Sequence, residues 1–335
     1  MIKAFITGIT GMVGSHLYDY LFENTDWEIH GLLRWRSPLD NIRHSIQNFN
    51  NNKRSFLHYG DLNDLNSLDT IIKSLKPNYV FHLAAQSFPR VSFDAPIDTY
   101  NTNVNGTQNL LNSVKKFCPE SVVHVCSSSE VFGRVPKELV PINEEVKFHP
   151  ASPYAISKCG TDLIGRYFGE AYQICTVITR MFTHTGPRRG DVFAESTFAK
   201  QIALAEAGLI EPIVKVGNLD SLRTIADVRD AVRAYHMAVT IKPEPASYFN
   251  IGGNYTTTVR ELLNDLINLS TCKDIKVEID RERLRPIDAD LQIPDISKFK
   301  AHTGWEPQIP YAKTIEDLLN YWRSEIKAKG EFLVR

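Results

Sequence analysis

Short apolar runs alternate with longer amphipathic stretches through the first 125 residues, and this alternation constrains the fold more than any other feature of the chain. The runs Lys3–Thr7, Glu28–Leu33, Ser55–Tyr59, Tyr79–Leu83 and Val122–Cys126 are rich in Val, Ile, Phe and Tyr and predict strands. Between them, segments near 13–23, 64–75 and 99–117 place apolar residues at threes and fours, as in Leu68, Ile71, Ile72 and Leu75, and predict helices. Strands separated by such helices pair in parallel through right-handed crossovers. The expectation is an α/β protein with a doubly wound parallel sheet.

The first strand runs straight into Gly8-Ile9-Thr10-Gly11-Met12-Val13-Gly14, a G-x-x-G-x-x-G turn that opens a helix. Glycines there let the backbone turn tightly and approach a pyrophosphate at the helix N-terminus. A plain tight turn would use the same residues, but a strand before and a helix after favour a dinucleotide site of the Rossmann type. Gly8, Thr10, Gly11, Met12, Val13 and Gly14 are its candidate residues. An NAD site usually carries an acid at the end of the second strand. Here stand Arg34, Trp35, Arg36 and Ser37. Two guanidiniums and a hydroxyl suit a 2′-phosphate, so NADP is the expected cofactor, a solvated arginine pair being the alternative. Asp61 and Leu62 after the third strand, and Leu83, Ala84, Ala85 and Ser87 after the fourth, complete the cofactor candidates.

Past Cys126 the pattern loosens. Helices are predicted over 152–172, 194–208, 227–240, 258–270 and 313–328, with strands at Thr176–Arg180, Ile213–Val216 and Ser247–Asn250. No linker or repeat interrupts them. Residues 1–180 are therefore assigned to the dinucleotide-binding domain and 181–335 mainly to a smaller lobe, with some segments returning to the first.

Composition narrows the partners. Lys and Arg total 38 against 39 Asp and Glu, a net charge of −1 without long blocks of one sign, which removes the usual footprint for nucleic acid or anionic membrane. The chain turns glycine-rich at Gly8, too soon for a signal peptide, and no apolar run approaches a spanning helix. Five scattered cysteines read as free thiols of a reducing, cytoplasmic compartment, and the ten histidines show no metal-binding spacing, so no metal is expected.

Tyr154 and Lys158 lie at i and i+4 on one predicted helix face, where an ammonium would favour the phenolate. Alone the pair is weak, but it follows a dinucleotide-type fold and a serine-rich strand end, Ser127-Ser128-Ser129-Glu130. Together these features resemble the extended short-chain dehydrogenase/reductases over nearly the whole chain. Leu83-Ala84-Ala85-Gln86-Ser87, Val91-Ser92-Phe93-Asp94, His58-Tyr59-Gly60-Asp61-Leu62 and Pro187-Arg188-Arg189-Gly190 resemble the GDP-mannose 4,6-dehydratases. Lys215-Val216-Gly217-Asn218-Leu219-Asp220, Asp227-Val228-Arg229-Asp230 and Leu284-Arg285-Pro286 also resemble their sister GDP-4-keto-6-deoxymannose reductases. The chain departs from both at Thr183, where Asn is usual, and at Thr224, where an Asp usually follows the phosphate-binding Arg.

The resemblance implies a nucleotide-sugar 4,6-dehydratase that forms a 4-keto-6-deoxy sugar by moving hydride from C4 to C6 and regenerates its cofactor. Ser128, Glu130, Tyr154 and Lys158 would be catalytic. Arg223 and Arg285 would hold the diphosphate of a GDP-sugar, with Ser87, Arg90, Thr183 and Lys200 as further substrate candidates. His184 is expected to pack or hydrogen-bond structurally. The helices at 99–117 and 152–172 resemble those that pair in the family's dimers, implying a homodimer or homotetramer. The rival reading is a 4-keto sugar reductase or epimerase. A non-catalytic NADP sensor is disfavoured because Ser128, Glu130, Tyr154 and Lys158 are all retained.

Overall fold

The computed structural model describes residues 1–51, 54–283 and 290–334. Its strands are, in chain order, β1 (Lys3–Thr7), β2 (Glu28–Leu33), β3 (Ser55–Tyr59), β4 (Tyr79–His82), β5 (Val122–Cys126), β6 (Thr176–Met181), β7 (His184–Thr185), β8 (Ile213–Val216), β9 (Leu222–Asp227), β10 (Ser247–Ile251), β11 (Tyr255–Thr258), β12 (Lys276–Ile279) and β13 (Leu291–Gln292). Seven of them form a parallel sheet in the order β10-β6-β5-β4-β1-β2-β3, with β1 at the switch point between the two windings. Strands of such a sheet are covered on both faces, which is why they read as continuous apolar runs. Ala4, Phe5 and Ile6 of β1 are all fully buried.

One face packs against the helices Met12–Asn24 and Val228–Thr240 through Tyr18, Leu21, Tyr235 and Ala238. The other packs against Leu65–Leu75, Gly106–Phe117 and Pro153–Tyr172 through Leu68, Ile72, Leu110, Val114 and Phe168. A separate core joins the helices Ala194–Glu206, Val259–Asn268 and Tyr311–Lys329 around Phe198, Ile202, Leu262, Leu318 and Trp322. The chain returns from this second lobe to the first, because β10 pairs with β6 and Val228–Thr240 lies on the main sheet.

The helix expected over 99–117 is broken. A short helix, Pro96–Tyr100, passes through a π turn at Asn101–Asn105 before Gly106–Phe117 begins. The Asn103 carbonyl accepts from the Thr107 hydroxyl four residues on and from the Thr161 hydroxyl of a neighbouring helix, the latter a tertiary pull of the kind that opens a helical ladder. The helix Pro153–Tyr172 starts with the Ser152 hydroxyl accepting from the Ala155 N–H at 3.0 Å and ends at Gln173, whose φ is 57°. The strands β7, β9, β11, β12 and β13 and the short helices Ile46–Asn51, Pro89–Asp94 and Ser297–Thr303 were not expected from the sequence pattern.

Candidate active site

Parallel sheets present their ligand crevice at the carboxyl ends of the strands, on either side of the switch point. A cleft of about 1000 Å³ opens there and continues onto the second lobe. The glycine turn forms one part of its wall. Gly8 has φ +76°, and a Cβ on it would lie 2.8 Å from the Ala84 nitrogen. A Cβ on Gly14 would lie 2.2 Å from the Gly8 carbonyl oxygen, so the helix can start this close to the turn only with glycine. Thr10, Gly11, Met12 and Val13 line the same wall. Thr7, just before the turn, accepts hydrogen bonds from the N–H groups of Leu83 and Ala84, each at 3.1 Å. That pins the end of β4 beside β1 and brings Leu83, Ala84, Ala85 and Ser87 to the cleft, with Asp61 and Leu62 near by.

Arg34 and Ser37 also line the cleft. They are held in one turn, with the Arg34 N–H donating to Ser37 Oγ at 3.1 Å and the Ser37 N–H to the Arg34 carbonyl at 3.0 Å. Arg34 and Arg36 are both exposed, but Arg36 is not part of the wall. That separates Arg36 from the other two cofactor candidates. Asn41, which the sequence did not single out, lines the cleft and donates to the Thr10 carbonyl at 3.0 Å.

Ser128, Glu130, Tyr154 and Lys158 meet in the middle of the cleft. Ser128 caps a short 3₁₀ turn, accepting from the Glu130 N–H at 3.2 Å, which sets the carboxylate immediately after the end of β5. Tyr154 and Lys158 come from the first turns of the helix Pro153–Tyr172, and the Tyr154 N–H donates to Ser92 Oγ at 3.0 Å. Burial pushes the Tyr154 hydroxyl above the usual phenol range. The two groups that pull it back most are the hydrogen-bonding Ser128 hydroxyl and the Arg189 guanidinium. The sequence had given that role to Lys158. Its ammonium instead donates to the Cys126 carbonyl at 2.8 Å, and burial lowers its own pKa.

The second lobe contributes Thr183, Arg223 and Phe193, and Arg90 approaches from the first. Arg189 stacks its guanidinium 3.5 Å from the centre of the Phe193 ring and donates to Glu195 Oε1 at 3.1 Å. Its place in a Pro-Arg-Arg-Gly loop was the available signal, but the sequence does not say which arginine faces inward. His184 also borders the cleft, bonded through Nδ1 to the Phe182 carbonyl at 3.1 Å, and burial and Arg189 lower its pKa to about 4. Lys200 is not brought to the cleft wall: it is buried in an ion pair with Asp191 at 2.8 Å, which satisfies its charge elsewhere. Arg285 lies outside the described residues, and Arg283 and Glu282 beside it reach the cleft. Among the described residues no cluster of His, Cys, Asp and Glu is arranged to hold a metal, and no helix is long and apolar enough to cross a membrane.

A parallel sheet with this glycine turn, and a Tyr–Lys helix beside its carboxyl edge, define a short-chain dehydrogenase/reductase of the extended type. Residues 5–318 match the family model described as GDP-mannose 4,6 dehydratase, and the chain belongs to that family. The GDP-mannose 4,6-dehydratase of Yersinia enterocolitica is 31% identical, over 95% of this chain and 92% of that protein. GDP-mannose 4,6 dehydratase 2 of Arabidopsis thaliana is 34% identical, over 95% of this chain and 86% of that protein. Among solved structures, RMD from Pseudomonas aeruginosa complexed with NADPH superposes with a TM-score of 0.81 at 27% identity, covering 97% of this chain and all of that one. The UDP-glucose 4-epimerase of Thermotoga maritima with UDP-glucose gives 0.85 at 25% identity, with the same coverage.

Proposed function

We propose that the chain is an NADP-dependent GDP-mannose 4,6-dehydratase, a lyase that converts a GDP-hexose into its 4-keto-6-deoxy derivative. The observation that carries this reading is the meeting, in one cleft, of a glycine turn, the Ser128–Glu130–Tyr154–Lys158 group and arginines from the second lobe. The wall formed by Gly8, Gly11 and Gly14 suits a dinucleotide, since a Cβ at Gly8 or Gly14 would collide with the backbone that forms it. Arg34 and Ser37 in the wall, with no carboxylate in the turn directly after β2, favour NADP over NAD. The Pseudomonas relative of known structure holds NADPH.

When bound, the nicotinamide supplies the site that takes up and returns a hydride. In this reading Tyr154 removes the proton of the sugar 4-hydroxyl, and Ser128 bonds the 4-oxygen and helps move that proton. Burial opposes the phenolate, and the Ser128 hydroxyl and Arg189 favour it. Lys158 has one N–H at the Cys126 carbonyl and others left for ligand hydroxyls. Glu130, partly open to the cleft, takes the C5 proton that a 4-ketone acidifies and delivers a proton to the departing 6-hydroxyl. Arg223 and Arg285 hold the diphosphate, and Ser87, Arg90 and Thr183 border the sugar.

Exposed Ile156, Leu163 and Tyr167 along the helix Pro153–Tyr172, with Ile97 near by in sequence to its partner helices, support a homodimer or homotetramer. Five free cysteines support a reducing, cytoplasmic setting.

Purified chain incubated with GDP-mannose and a panel of other nucleotide sugars should release a product one water lighter from GDP-mannose. Glu130→Gln should still show the rise in bound nicotinamide absorbance but lose at least ~10² in turnover to product. Tyr154→Phe should abolish the absorbance rise itself. Oxidation of NADPH by a 4-keto-6-deoxy nucleotide sugar, with no dehydrated product from any hexose, would put a reductase in place of the dehydratase.

A further inference from the structure

Asp19 lies outside the cleft, yet segments that build the cofactor end of the cleft converge on its carboxylate. It stands on the helix Met12–Asn24, whose first residues carry the glycine turn. Its Oδ1 accepts from His44 Nε2 at 2.9 Å and lies 3.4 Å from Ser45 Oγ. Both belong to the 3₁₀ segment Asp40–Ser45, which also sends Asn41 to the Thr10 carbonyl. Its Oδ2 pairs with Arg188 Nη1 at 2.7 Å. Arg188 comes from the second lobe, on the strap Gly186–Gly190. One turn earlier on the helix, His16 Nε2 donates to the Pro187 carbonyl of the same strap at 3.1 Å.

Two properties set this pair apart from an ordinary surface contact. The side chains of Arg188 and Asp19 are only 18% and 22% exposed, so water screens them less than it does an exposed ion pair. Arg188 also holds φ at 67°, a left-handed conformation that disfavours a residue with a Cβ and persists only where the surroundings fix it. The strap contributes Arg188 and Arg189 to the cleft wall, opposite in sequence and lobe to the glycine turn that shares that wall.

The geometry points to a latch: Arg188 and Asp19 fasten the strap of the second lobe to the cofactor helix, and the fastened strap slows release of the nicotinamide dinucleotide. Arg188 and Asp19 are positioning residues for cofactor retention. The inference rests on the cofactor reading given above and extends it. A reaction that returns to C6 the hydride taken from C4 gains nothing from exchanging its cofactor, and loses a half-reacted sugar whenever exchange occurs between the two transfers.

The test is a chase. The full chain is loaded with NADPH and mixed with excess NADP⁺, and the decay of bound NADPH fluorescence gives the release rate. Asp19→Asn keeps the size of the side chain and removes its charge. It should speed release about 2- to 5-fold, the range for an ion pair that is partly screened by water. Arg188→Gln, acting on the same pair from the other lobe, should do likewise. Because the two residues act as one contact, the double variant should release no faster than the faster single variant. Asp69→Asn, which breaks the distant Lys116 pair, should release at the wild-type rate. Release at the wild-type rate from both single variants overturns the latch, and so does full additivity in the double variant. Failure of the wild type to bind NADPH at all is a different result, which removes the cofactor reading beneath it.

Discussion

Arg34 lines the cleft beside Ser37, and its local geometry makes the proposed preference for NADP testable with one substitution. Its backbone, not its side chain, forms the turn with Ser37, through the Arg34 N–H to Ser37 Oγ and the Ser37 N–H to the Arg34 carbonyl. Arg34→Ala therefore removes the guanidinium and leaves the turn in place. NADPH should bind more weakly by roughly 1–3 kcal/mol, the range for losing a charged hydrogen-bonding partner, while NADH affinity stays unchanged. Titration of protein fluorescence with each cofactor measures both. Arg36→Ala should leave both affinities alone, because that side chain, unlike Arg34, does not line the cleft. A wild type with equal affinity for the two cofactors would contradict the assignment. Residue type was legible here and direction was not: Arg34, Arg36 and Ser37 look alike as a sequence cluster, and only the turn sorts them.

Elements buried on both faces were the most legible. The strands Lys3–Thr7, Glu28–Leu33 and Val122–Cys126 have the bounds their apolar runs suggested, and so does the half-buried edge strand Ser55–Tyr59. Elements whose shape comes from distant partners were not. The π turn at Asn101–Asn105 depends in part on Thr161, 58 residues from Asn103. Leu222–Asp227 carries no clear strand signal, since Arg223 and Thr224 interrupt its apolar pattern, and it becomes a strand by pairing with Tyr255–Thr258. Lys200 misled for a similar reason, since Asp191 claims it. The helix Pro153–Tyr172 also carries a constraint of this long-range kind. Asp162 receives Arg180 of β6 through two hydrogen bonds, 2.9 and 3.1 Å, with both side chains essentially buried, and Arg180 also donates to the Glu144 carbonyl at 2.9 Å. Breaking one side of a buried pair leaves the other charge uncompensated. Asp162→Asn should lower unfolding free energy by about 3–5 kcal/mol, read from the denaturant midpoint. A loss within about 0.5 kcal/mol, as expected of an ordinary surface substitution, would show that the pair contributes little.

At the scale of the whole molecule, the main sheet and its first helix are built around histidines that must stay neutral. Burial lowers the pKa of His16 to about 4, and those of His30, His82 and His124 to about 3. For His82 the hydrogen bonds give the same answer independently. The N–H groups of Leu83 and Ala84 both donate to Thr7 Oγ1, so the Thr7 hydroxyl hydrogen goes to His82 Nδ1 at 3.0 Å. That leaves Nε2 as the protonated nitrogen, donating to Thr107 at 2.9 Å. A second proton on Nδ1 would set two donors against each other beside the cofactor turn. The unfolded chain takes up a proton on each of these histidines below about pH 6.5, whereas the folded chain does not until far lower pH. Their contribution to stability is therefore complete above pH 6.5 and is lost as pH falls toward 4. At pH 5 the loss is on the order of 1–2 kcal/mol for each histidine that stays neutral in the folded chain. The thermal midpoint should consequently fall steeply between pH 6.5 and 5, well above the range where paired carboxylates protonate. Calorimetry across that interval measures it, and a midpoint that stayed flat down to pH 5 would mean that these rings are protonated within the folded sheet.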